Sequence, residues 1–517
     1  MKLPAQLARK LADASALREI ADKLGKKYSL KEQLSKTEAV SFFDSFDWRL
    51  YAGGLLCFLR NDMLHLTDYA DREVTAPIPM QGQPPGFPHQ LPESELRQKL
   101  TGLLEMRTLL RQGGFSRTVT ELRVLNKDEK TVAVLVLTEF SPENGESVFS
   151  VQLYEVRGYQ KWFLKLSRDL EKFGTPQPCT NRHLLKIVLA ATGRVPQDYS
   201  SKFSVPLEPD MDGRTAAKII YRHLLQTMQQ NEQGIIDDLD SEFLHDFRVA
   251  IRRTRSGLDM IQNVLEPEIS RRFKKEFRYL GQITGPVRDL DVYLLMEEDY
   301  RARLPEHLQK GLGYFFSQLA EQRSKEQKKL VRALSSSRYR TILRDWQDYL
   351  KQKDTAKNGK QKNGSTLPAI GTIADRIIRK RFERVLSDGR AIGPDSPDAK
   401  LHKLRIQGKK LRYGLEFFSS LYPKKEMKQL IRQLKTLQNN LGLFNDLSVQ
   451  QDMLNSYLAG LKPGSGKAKE MSAAIGGLLT NLHHEQQQVR AEFEAVFREF
   501  SAQENISLYR QLFYSGK

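Results

Sequence analysis

The pattern of apolar and polar residues divides the chain into two parts of different character. Up to about residue 200, short apolar runs alternate with turn sequences such as Gly53-Gly54 and Glu143-Asn144-Gly145, which predicts strands of an antiparallel sheet together with a few helices. Beyond about residue 210, apolar residues recur at the i, i+3, i+4 spacing of helices. The sequence therefore predicts an α+β domain followed by an all-α domain.

In the first part, a strand–turn–strand unit at residues 42–60 is expected to begin the sheet. A loop rich in proline and glycine follows at residues 77–92. The predicted helices cover residues 7–24, 93–110 and 158–173, and the remaining predicted strands cover residues 117–125, 131–140 and 147–156.

Composition sets the predicted domain boundaries. Five prolines between residues 176 and 210 indicate a linker around one short helix, residues 181–191. A stretch rich in lysine, asparagine and glycine separates the two halves of the helical domain. The predicted domains are 1–175 and 211–517, with a linker at 176–210, and the second consists of half-repeats at about 211–350 and 369–517 joined by a linker at 351–368.

One stretch of the helical part occurs twice. His245 and His402 open the two copies, 157 positions apart, and the same spacing holds without a gap up to Asp289 and Asp446. A register shared over about 45 residues indicates an internal duplication. Upstream, in a helix expected at residues 216–229, the pair Ile219-Ile220 matches Ile377-Ile378 at a spacing of 158, which predicts that one residue is inserted between the two copies of this segment.

Each copy carries a row of cations beside the apolar stripe of its first helix. The cations follow the histidine at i+3 and i+4 steps over about three turns, so they share one face. No acidic residue stands in the row, although like charges at this spacing repel by about a few tenths of a kcal/mol per pair. A second basic row follows downstream. The candidate polyanion-binding residues are His245, Arg248, Arg252, Arg253, Arg255, Arg271, Lys275 and Arg278 in the first copy, and His402, Arg405, Lys409, Lys410, Arg412, Lys428, Arg432 and Lys435 in the second.

These rows have simpler interpretations. A run of charge on a helix is usually a solvated face, and a repeated histidine can be a packing residue. A metal site is not indicated, because no His or Cys stands at i+3 or i+4 from either histidine and Lys403 replaces Asp246 in the second copy. The repetition of an uncompensated row favours phosphate binding, for which Arg supplies bidentate contacts and Lys a point charge.

The formal net charge of +19 and the isoelectric point near 9.6 indicate an anionic partner: nucleic acid, an acidic membrane surface or free polyphosphate. The sequence has no long apolar run and no signal peptide, so we expect no membrane span and a cytoplasmic location. Cys57 and Cys179 form neither a disulfide framework nor a metal-ligand spacing, and both are expected to be buried. No cofactor is indicated.

The repeated motif H-x-x-R-[VI]-x-x-[RK]-[RK]-x-R, followed some 30 residues later by G-x-x-[RN]-D-L, resembles the CHAD domain. The resemblance covers about residues 211–517. It implies an all-helical domain of two pseudo-symmetric bundles, whose basic helices line a central pore that binds inorganic polyphosphate. In the second copy Lys409-Lys410 replace Arg252-Arg253 and Asn445 replaces Arg288, which leaves the row basic.

The segment F-F-D-S-F-D-W-R-L-Y-A-G-G-L-x-x-x-L-R at residues 42–60 and the V-R-G-Y sequence ending at Tyr159 resemble the CYTH or triphosphate-tunnel family over about residues 35–175. Members that hydrolyse triphosphates carry an E-x-E-x-K signature on the first strand, which supplies metal-binding carboxylates and a phosphate-binding lysine. Residues 31–39 lack it, and Glu139 and Glu155 are isolated acids. The resemblance therefore implies a degenerate domain, with Arg60, Arg117 and Arg123 as remaining candidates for phosphate contact.

The sequence favours a non-catalytic protein that binds inorganic polyphosphate, with a link to polyphosphate granules. Nucleic-acid binding is the alternative; it is disfavoured because sites for single strands interleave aromatics with cations, whereas Tyr279 and Tyr413 stand beside the basic rows. A metal-dependent triphosphatase is the third interpretation. It lacks the clustered carboxylates that phosphoryl chemistry on Mg²⁺ needs.

Overall fold

The computed structural model describes residues 6–33, 35–176, 180–261, 264–352, 368–461 and 466–514. The chain forms two compact units, Met1–Ser201 and Lys202–Lys517. The first is an antiparallel sheet with helices and the second is helical, which confirms the predicted fold classes. Cys57 is buried as expected; Cys179 and all but the ends of the predicted linker 351–368 lie outside the described residues.

The N-terminal unit contains one sheet in the strand order β10-β1-β9-β8-β7-β3-β4-β5-β6, with β2 paired to β7. The strands are β1 Gln6–Leu11, β2 Ser29–Glu32, β3 Lys36–Asp44, β4 Leu55–Arg60, β5 Met63–Asp68, β6 Ile78–Pro79, β7 Leu110–Leu125, β8 Thr131–Pro142, β9 Val148–Glu155 and β10 Thr175–Pro176. The helices are α1 Ala14–Gly25, α2 Arg49–Ala52, α3 Glu95–Leu104, α4 Gln160–Leu170 and α5 Asn181–Ala190.

The helix predicted at residues 7–24 is wrong in its first part. Residues Gln6–Leu11 form β1, which pairs with β9 and β10, and α1 begins after Asp13, whose carboxylate accepts from the Ala16 N–H at 3.0 Å. Within β1, the buried Arg9 donates to the carbonyl of Phe173 at 2.6 Å. This partner lies at the other end of the unit in sequence, so the local apolar pattern carries no sign of the strand.

The helix predicted at 93–110 also ends early. It stops at Leu104, because Glu105 adopts a positive φ of 52°, and the chain enters β7 at Leu110. The other predicted strands and helices of this unit are present with small shifts of their ends.

The two faces of the sheet are covered differently. Two apolar clusters involve α1, α3 and α4, whereas the third joins the aromatic side chains of the sheet to α5. From α5, Leu184 and Leu185 contact this third cluster. The short helix expected inside the linker 176–210 is therefore packed into the core of the N-terminal unit. The rings in this cluster belong to Phe42, Trp48, Tyr51, Phe58, Phe115 and Phe140.

Asp44, in the motif at residues 42–60, has a structural role. Its buried carboxylate accepts from the backbone N–H groups of Ser45 at 2.7 Å, Leu50 at 3.0 Å and Tyr51 at 2.9 Å. These bonds satisfy backbone donors at the short helix α2, which a helix start otherwise leaves open. The carboxylate therefore fixes the turn between β3 and β4.

The C-terminal unit is helical in all its described elements except for a β-bridge described below. Its helices are α6 Gly213–Ile236, α7 Ser241–Met260, α8 Pro267–Ile283, α9 Gly285–Leu294, α10 Glu297–Ala302, α11 Glu306–Leu334, α12 Ser337–Lys351, α13 Ile370–Arg390, α14 Asp398–Phe417, α15 Lys424–Gly460, α16 Gly466–Phe500 and α17 Gln503–Phe513.

The duplication is visible in the helix boundaries. Helix α7 spans Ser241–Met260 and α14 spans Asp398–Phe417, so both ends are 157 positions apart. The first helices, α6 and α13, also start 157 positions apart. Their burial follows the same spacing, since buried Ile220 corresponds to buried Ile377. The predicted insertion of one residue is therefore wrong, because the adjacent isoleucines had been matched one position out of register.

The two halves differ after the first repeated helix. In the first half, α8 ends at Ile283 and α9 restarts at Gly285, whereas α15 continues through the same positions as one helix. Pro286 stands near the start of α9, and a proline lacks the N–H that a continuous helix would need there. Leu443 takes this position in the second half, and the helix is not interrupted.

A short backbone contact marks the symmetry between the halves. Asp212 and Ala369 form an isolated antiparallel β-bridge, and the Ile370 N–H donates to the Met211 carbonyl at 2.8 Å. Asp212 and Ala369 are equivalent positions, 157 apart, each directly before the first helix of its half. When equivalent positions contact each other, a pseudo-twofold axis passes between them.

Candidate functional site

The two repeated basic helices contact each other across this axis. A guanidinium nitrogen of Arg253 on α7 lies 2.7 Å from a carboxylate oxygen of Glu416 on α14. Arg252 and Lys409 occupy equivalent positions, and the charge of Arg252 acts on the Lys409 ammonium. The structure therefore brings the two predicted rows together at one site.

A second contact joins the two halves. The Tyr293 hydroxyl donates to the Val449 carbonyl at 3.4 Å, and the Tyr300 hydroxyl donates to Gln450 Oε1 at 2.9 Å. Tyr293 and Gln450 are also equivalent positions. The two halves thus contact each other both through α7 and α14 and through α9 and α10 with α15.

The spacing between the two motifs is the same in both halves, and in each half residues at or just before the second motif contact side chains of the first. Arg248 Nη1 donates to the Gly281 carbonyl and to Thr284 Oγ1, both at 3.0 Å. In the second half, Arg405 lies 3.2 Å from Asp446, and His402 Nδ1 lies 2.7 Å from Asn445 Oδ1. These contacts hold the first motif at a fixed angle to the site.

No acid stands within the rows, as the sequence shows, but the first row is not fully uncompensated in the folded chain. Glu416 contacts both Arg253, at 2.7 Å, and Arg412, at 2.6 Å, and Asp446 contacts Arg405. Glu416 lies one turn beyond the row on α14, and Asp446 lies on another helix, α15. Part of the first row is therefore neutralised within the protein.

The second basic row keeps its charge. Within the described ranges, its six side chains are exposed and make no ion pair or hydrogen bond, although their neighbours do: Arg272 contacts Asp345, and Lys274 lies 2.8 Å from Asp259. The six side chains of the second row are those of Arg271, Lys275, Arg278, Lys428, Arg432 and Lys435.

Part of the first row is also unpaired within the described ranges. Arg252, Arg255, Lys409 and Lys410 have no ion-pair partner among the described residues, and His245 is half-buried.

The two rows are adjacent. Arg412 Nη1 lies 3.4 Å from Gln438 Oε1, and a β-carbon at Gly281, the equivalent position, would lie 3.4 Å from Arg255 Nη1. Arg278 and Lys435 precede these contact points by three residues, which is about one helical turn. Cations from four helices, α7, α8, α14 and α15, therefore surround the same region.

Comparison with known proteins identifies the helical unit. The family model of the CHAD domain matches residues 219–455, which include both copies of the motif. The chain contains a CHAD domain. The predicted resemblance is thus confirmed for this part of the chain. Comparison with curated proteins gives no match.

Several solved structures are similar to the chain. The CHAD domain from the plant Ricinus communis is 23% identical, with 58% of this chain and 96% of that chain covered and a TM-score of 0.48. PptA from Streptomyces chartreusis is 16% identical, covering 56% and 99%, with a TM-score of 0.44. The putative adenylyl cyclase HpAC1 from Hippeastrum, described as having a dominant triphosphatase activity, is 13% identical, covering 38% and 98%, with a TM-score of 0.26. All three TM-scores are below 0.5.

Lys409 has the most perturbed pKa among the candidate residues of the CHAD domain. Burial, followed by the positive charges of Arg405 and Arg252, lowers the pKa of Lys409 to about 8, while Asp446 opposes the shift. Above that pH the unliganded site loses one positive charge. An anion bound beside Lys409 would favour the ammonium form and raise its pKa again.

Polyanion binding is therefore expected to weaken as pH rises through about 8. If only the ammonium form binds, affinity falls by up to about tenfold per pH unit above the pKa. Isothermal titration with polyphosphate between pH 7 and 9.5 measures this decline. The Lys409→Arg variant keeps its charge over this range and should show a flat profile; an equal decline in both proteins would contradict the assignment.

The N-terminal unit brings together only some of its candidate residues. Arg60 and Arg117 line one cavity of about 270 Å³, together with Glu73 and Tyr154. Arg123 does not line this cavity and instead lies 3.0 Å from Glu121. Neither Glu139 nor Glu155 lines it. The cavity therefore mixes both signs of charge.

The first strand of the sheet is β1, which the sequence interpretation had taken as helix. If the E-x-E-x-K signature is placed on this strand, Gln6 and Ala8 stand at the acidic positions and only Lys10 keeps its residue type. Within the described residues, no group of three or more His, Cys, Asp or Glu side chains is placed to hold a metal ion. None of the helices in the described ranges combines the length and apolar composition that crossing a membrane requires.

Proposed function

We propose that the CHAD domain binds inorganic polyphosphate without chemical change, through a basic pore between α7 and α14. The observation that carries this proposal is that α7 and α14 contact each other through Arg253 and Glu416, 2.7 Å apart, which brings the two basic rows to one site. A linear phosphate chain has the same chemistry read from either end. A site with twofold symmetry therefore presents matching contacts to both halves of such a ligand.

The unpaired second row supports a ligand with closely spaced charges. Six exposed cations that have no partner among the described residues repel one another and gain little from the protein itself. Arg supplies forked donors for phosphate oxygens, and Lys supplies compact charge. A phosphate chain crossing the site would contact these rows in both halves, and release of its counterions would contribute much of the affinity.

The aromatic side chains near the rows support polyphosphate over single-stranded nucleic acid. The ring of Tyr279 is covered by the guanidinium of Arg338, with 3.5 Å between the guanidinium carbon and the ring centroid. The ring of Tyr413 stacks beside Phe417. Both rings are thus engaged within the protein, whereas sites for single strands present open rings for bases to stack on.

We do not propose a triphosphatase activity for the N-terminal unit. A two-metal phosphoryl-transfer site needs clustered carboxylates, and the cavity containing Arg60 and Arg117 has Asp71 and Glu73 beside aromatic and apolar side chains. Binding by the CHAD domain would be sufficient to attach the chain to polyphosphate granules in the cytoplasm, which we include in the proposal.

The proposal is tested by titrating the full chain with long-chain polyphosphate and with single-stranded RNA of equal charge, at about 50 and 200 mM salt, the range over which generic phosphate contacts weaken steeply. Polyphosphate is expected to remain at least about tenfold tighter than RNA at the higher salt, a difference of about 1.4 kcal/mol. Equal affinities that both vanish at the higher salt would show a generic basic surface and overturn the proposal.

A further inference from the structure

The C-terminal unit contains a cavity of about 760 Å³ between the α13–α14 connection and α16. Its floor is apolar: Phe493 and Phe497 stack at 5.8 Å between ring centroids and 22° between planes, beside Ile392 and Leu401. None of the basic residues assigned to polyphosphate lines this cavity. Polyphosphate binding by the basic rows therefore does not account for this cavity.

The connection that forms one wall is fixed by hydrogen bonds. Arg490 on α16 donates to the carbonyls of Pro394, at 3.0 Å, and Ser396, and it pairs with Asp398. The Gly393 N–H donates to the Ser396 hydroxyl at 3.1 Å. The wall is thus held in place without a ligand, as in most small-molecule sites, which are largely formed in advance.

Gly389 is required for the shape of the floor. A β-carbon at this position would lie 2.0 Å from the ring of Phe497. Real side chains do not approach so closely, so any other residue would displace the ring. The glycine permits the aromatic floor to lie directly against α13.

The two halves differ in the wall of this cavity. The connection between α6 and α7 contains residues 237–240, whereas the one between α13 and α14 contains residues 391–397, because α13 ends three positions before the equivalent of Ile236. In the first half, Asp238 pairs with Arg323, with 2.6 Å between their atoms, and Gln327 donates to the Ile235 carbonyl at 2.6 Å. In the second half, Ile392 and Gly393 of the longer connection line the cavity.

The charges at the rim are complementary to an anion. Three arginines line the cavity against a single acid, Glu494, which pairs with Arg498 in an exposed contact. Arg390 is exposed and makes no ion pair or hydrogen bond with the part of the chain that the structure describes. An anionic group of a ligand beside Arg390 would gain a charge-assisted hydrogen bond. The apolar part of the same ligand would cover Phe493 and Phe497.

We propose that this cavity binds a small amphipathic anion: an apolar ring system or chain that carries one carboxylate, sulfonate or phosphate group. The volume lies in the range of about 300–1,000 Å³ that is common for small-molecule sites with mostly apolar walls and a few polar groups. The ligand is separate from polyphosphate, which has no apolar body, and its binding does not depend on the basic pore.

The probe for this proposal is 1-anilinonaphthalene-8-sulfonate, which combines an aromatic body with one sulfonate. Titration of the full chain is expected to give a saturable fluorescence increase at one probe per chain. Ala491→Trp, at an exposed position lining the cavity, should abolish the signal by filling the opening. Arg390→Glu should weaken binding by about tenfold through loss of the anion contact, and Lys380→Glu, an exposed position on the same helix, should change it by less than about twofold.

Polyphosphate binding is measured on the same variants and is expected to be unchanged, which separates failure of this proposal from failure of the proposed function. Near-UV circular dichroism of each variant excludes the unspecific binding of the dye to loosened structure, because loosened states retain the far-UV signal and lose the near-UV signal. The proposal is overturned if binding does not saturate, if Ala491→Trp leaves it unchanged, or if polyphosphate displaces the probe. It is also overturned if the chain self-associates and Ala491→Trp abolishes that association, since the groove is then an interface.

Discussion

Replacing Arg252 and Lys409 together by glutamate is expected to abolish polyphosphate binding while the helical content stays that of the parent protein. The two residues are equivalent, stand on the two helices that contact each other, and have no ion-pair partner among the described residues. Each substitution removes a charged contact worth about 1.5–3 kcal/mol and adds a repulsive charge. The combined loss is therefore at least about 3 kcal/mol, or more than about a hundredfold in affinity.

Titration calorimetry measures the affinity, and circular dichroism with thermal unfolding checks the fold. Because Lys409 is half-buried, the pair Arg252→Glu and Lys409→Gln provides a second variant without a half-buried new charge. Lys328→Glu with Lys380→Glu, both exposed, is the control of equal charge change and should retain most of the affinity. Unchanged binding in a folded Arg252→Glu/Lys409→Glu variant would rule out the pore as the site.

Removing the second row of the first half, as Arg271→Ala, Lys275→Ala and Arg278→Ala in one chain, is expected to weaken binding by about ten- to a hundredfold. These cations are exposed and unpaired within the described ranges, so their loss breaks no internal contact and should leave stability nearly unchanged. Each lost phosphate contact should also lower the slope of log affinity against log salt by about one. Titrations at several salt concentrations measure both effects.

The matched control lies on the same helix. Arg272→Ala with Lys274→Ala removes two cations that are already paired with Asp345 and Asp259. This variant should bind polyphosphate within about threefold of the parent, because its charges are already partly compensated. If both variants lose affinity equally, net charge rather than the unpaired row determines binding.

The repeated motif is where the sequence was most informative. The pairing of His245 with His402 and of Arg252 with Lys409 follows from a spacing of 157 positions that needs no structure to see. The structure shows why the two motifs occur together: in each half, residues at or just before the second motif contact side chains of the first. Arg248 is anchored at the end of α8, and His402 and Arg405 contact Asn445 and Asp446.

The errors have one common cause. The apolar spacing of residues Gln6–Leu11 is compatible with either a helix or a strand, because the stretch is so short. They form a strand because β1 pairs with β9 and because Arg9 donates a hydrogen bond to the Phe173 carbonyl. The neutralisation of Arg253 by Glu416 is likewise a contact between two helices. Contacts between residues far apart in sequence leave no mark in a local pattern.

By itself, the sequence determined the two fold classes, the duplication, and the identity of the cations that the binding proposal uses. These depend on periodicity and on charge, which are local properties of the chain. Only the tertiary structure decided which cations are paired, that the rows of the two halves meet at one axis, and that the second half encloses a cavity around Phe493 and Phe497. Ion pairing, symmetry contacts and cavities arise when separate helices pack, and their partners are set by the fold.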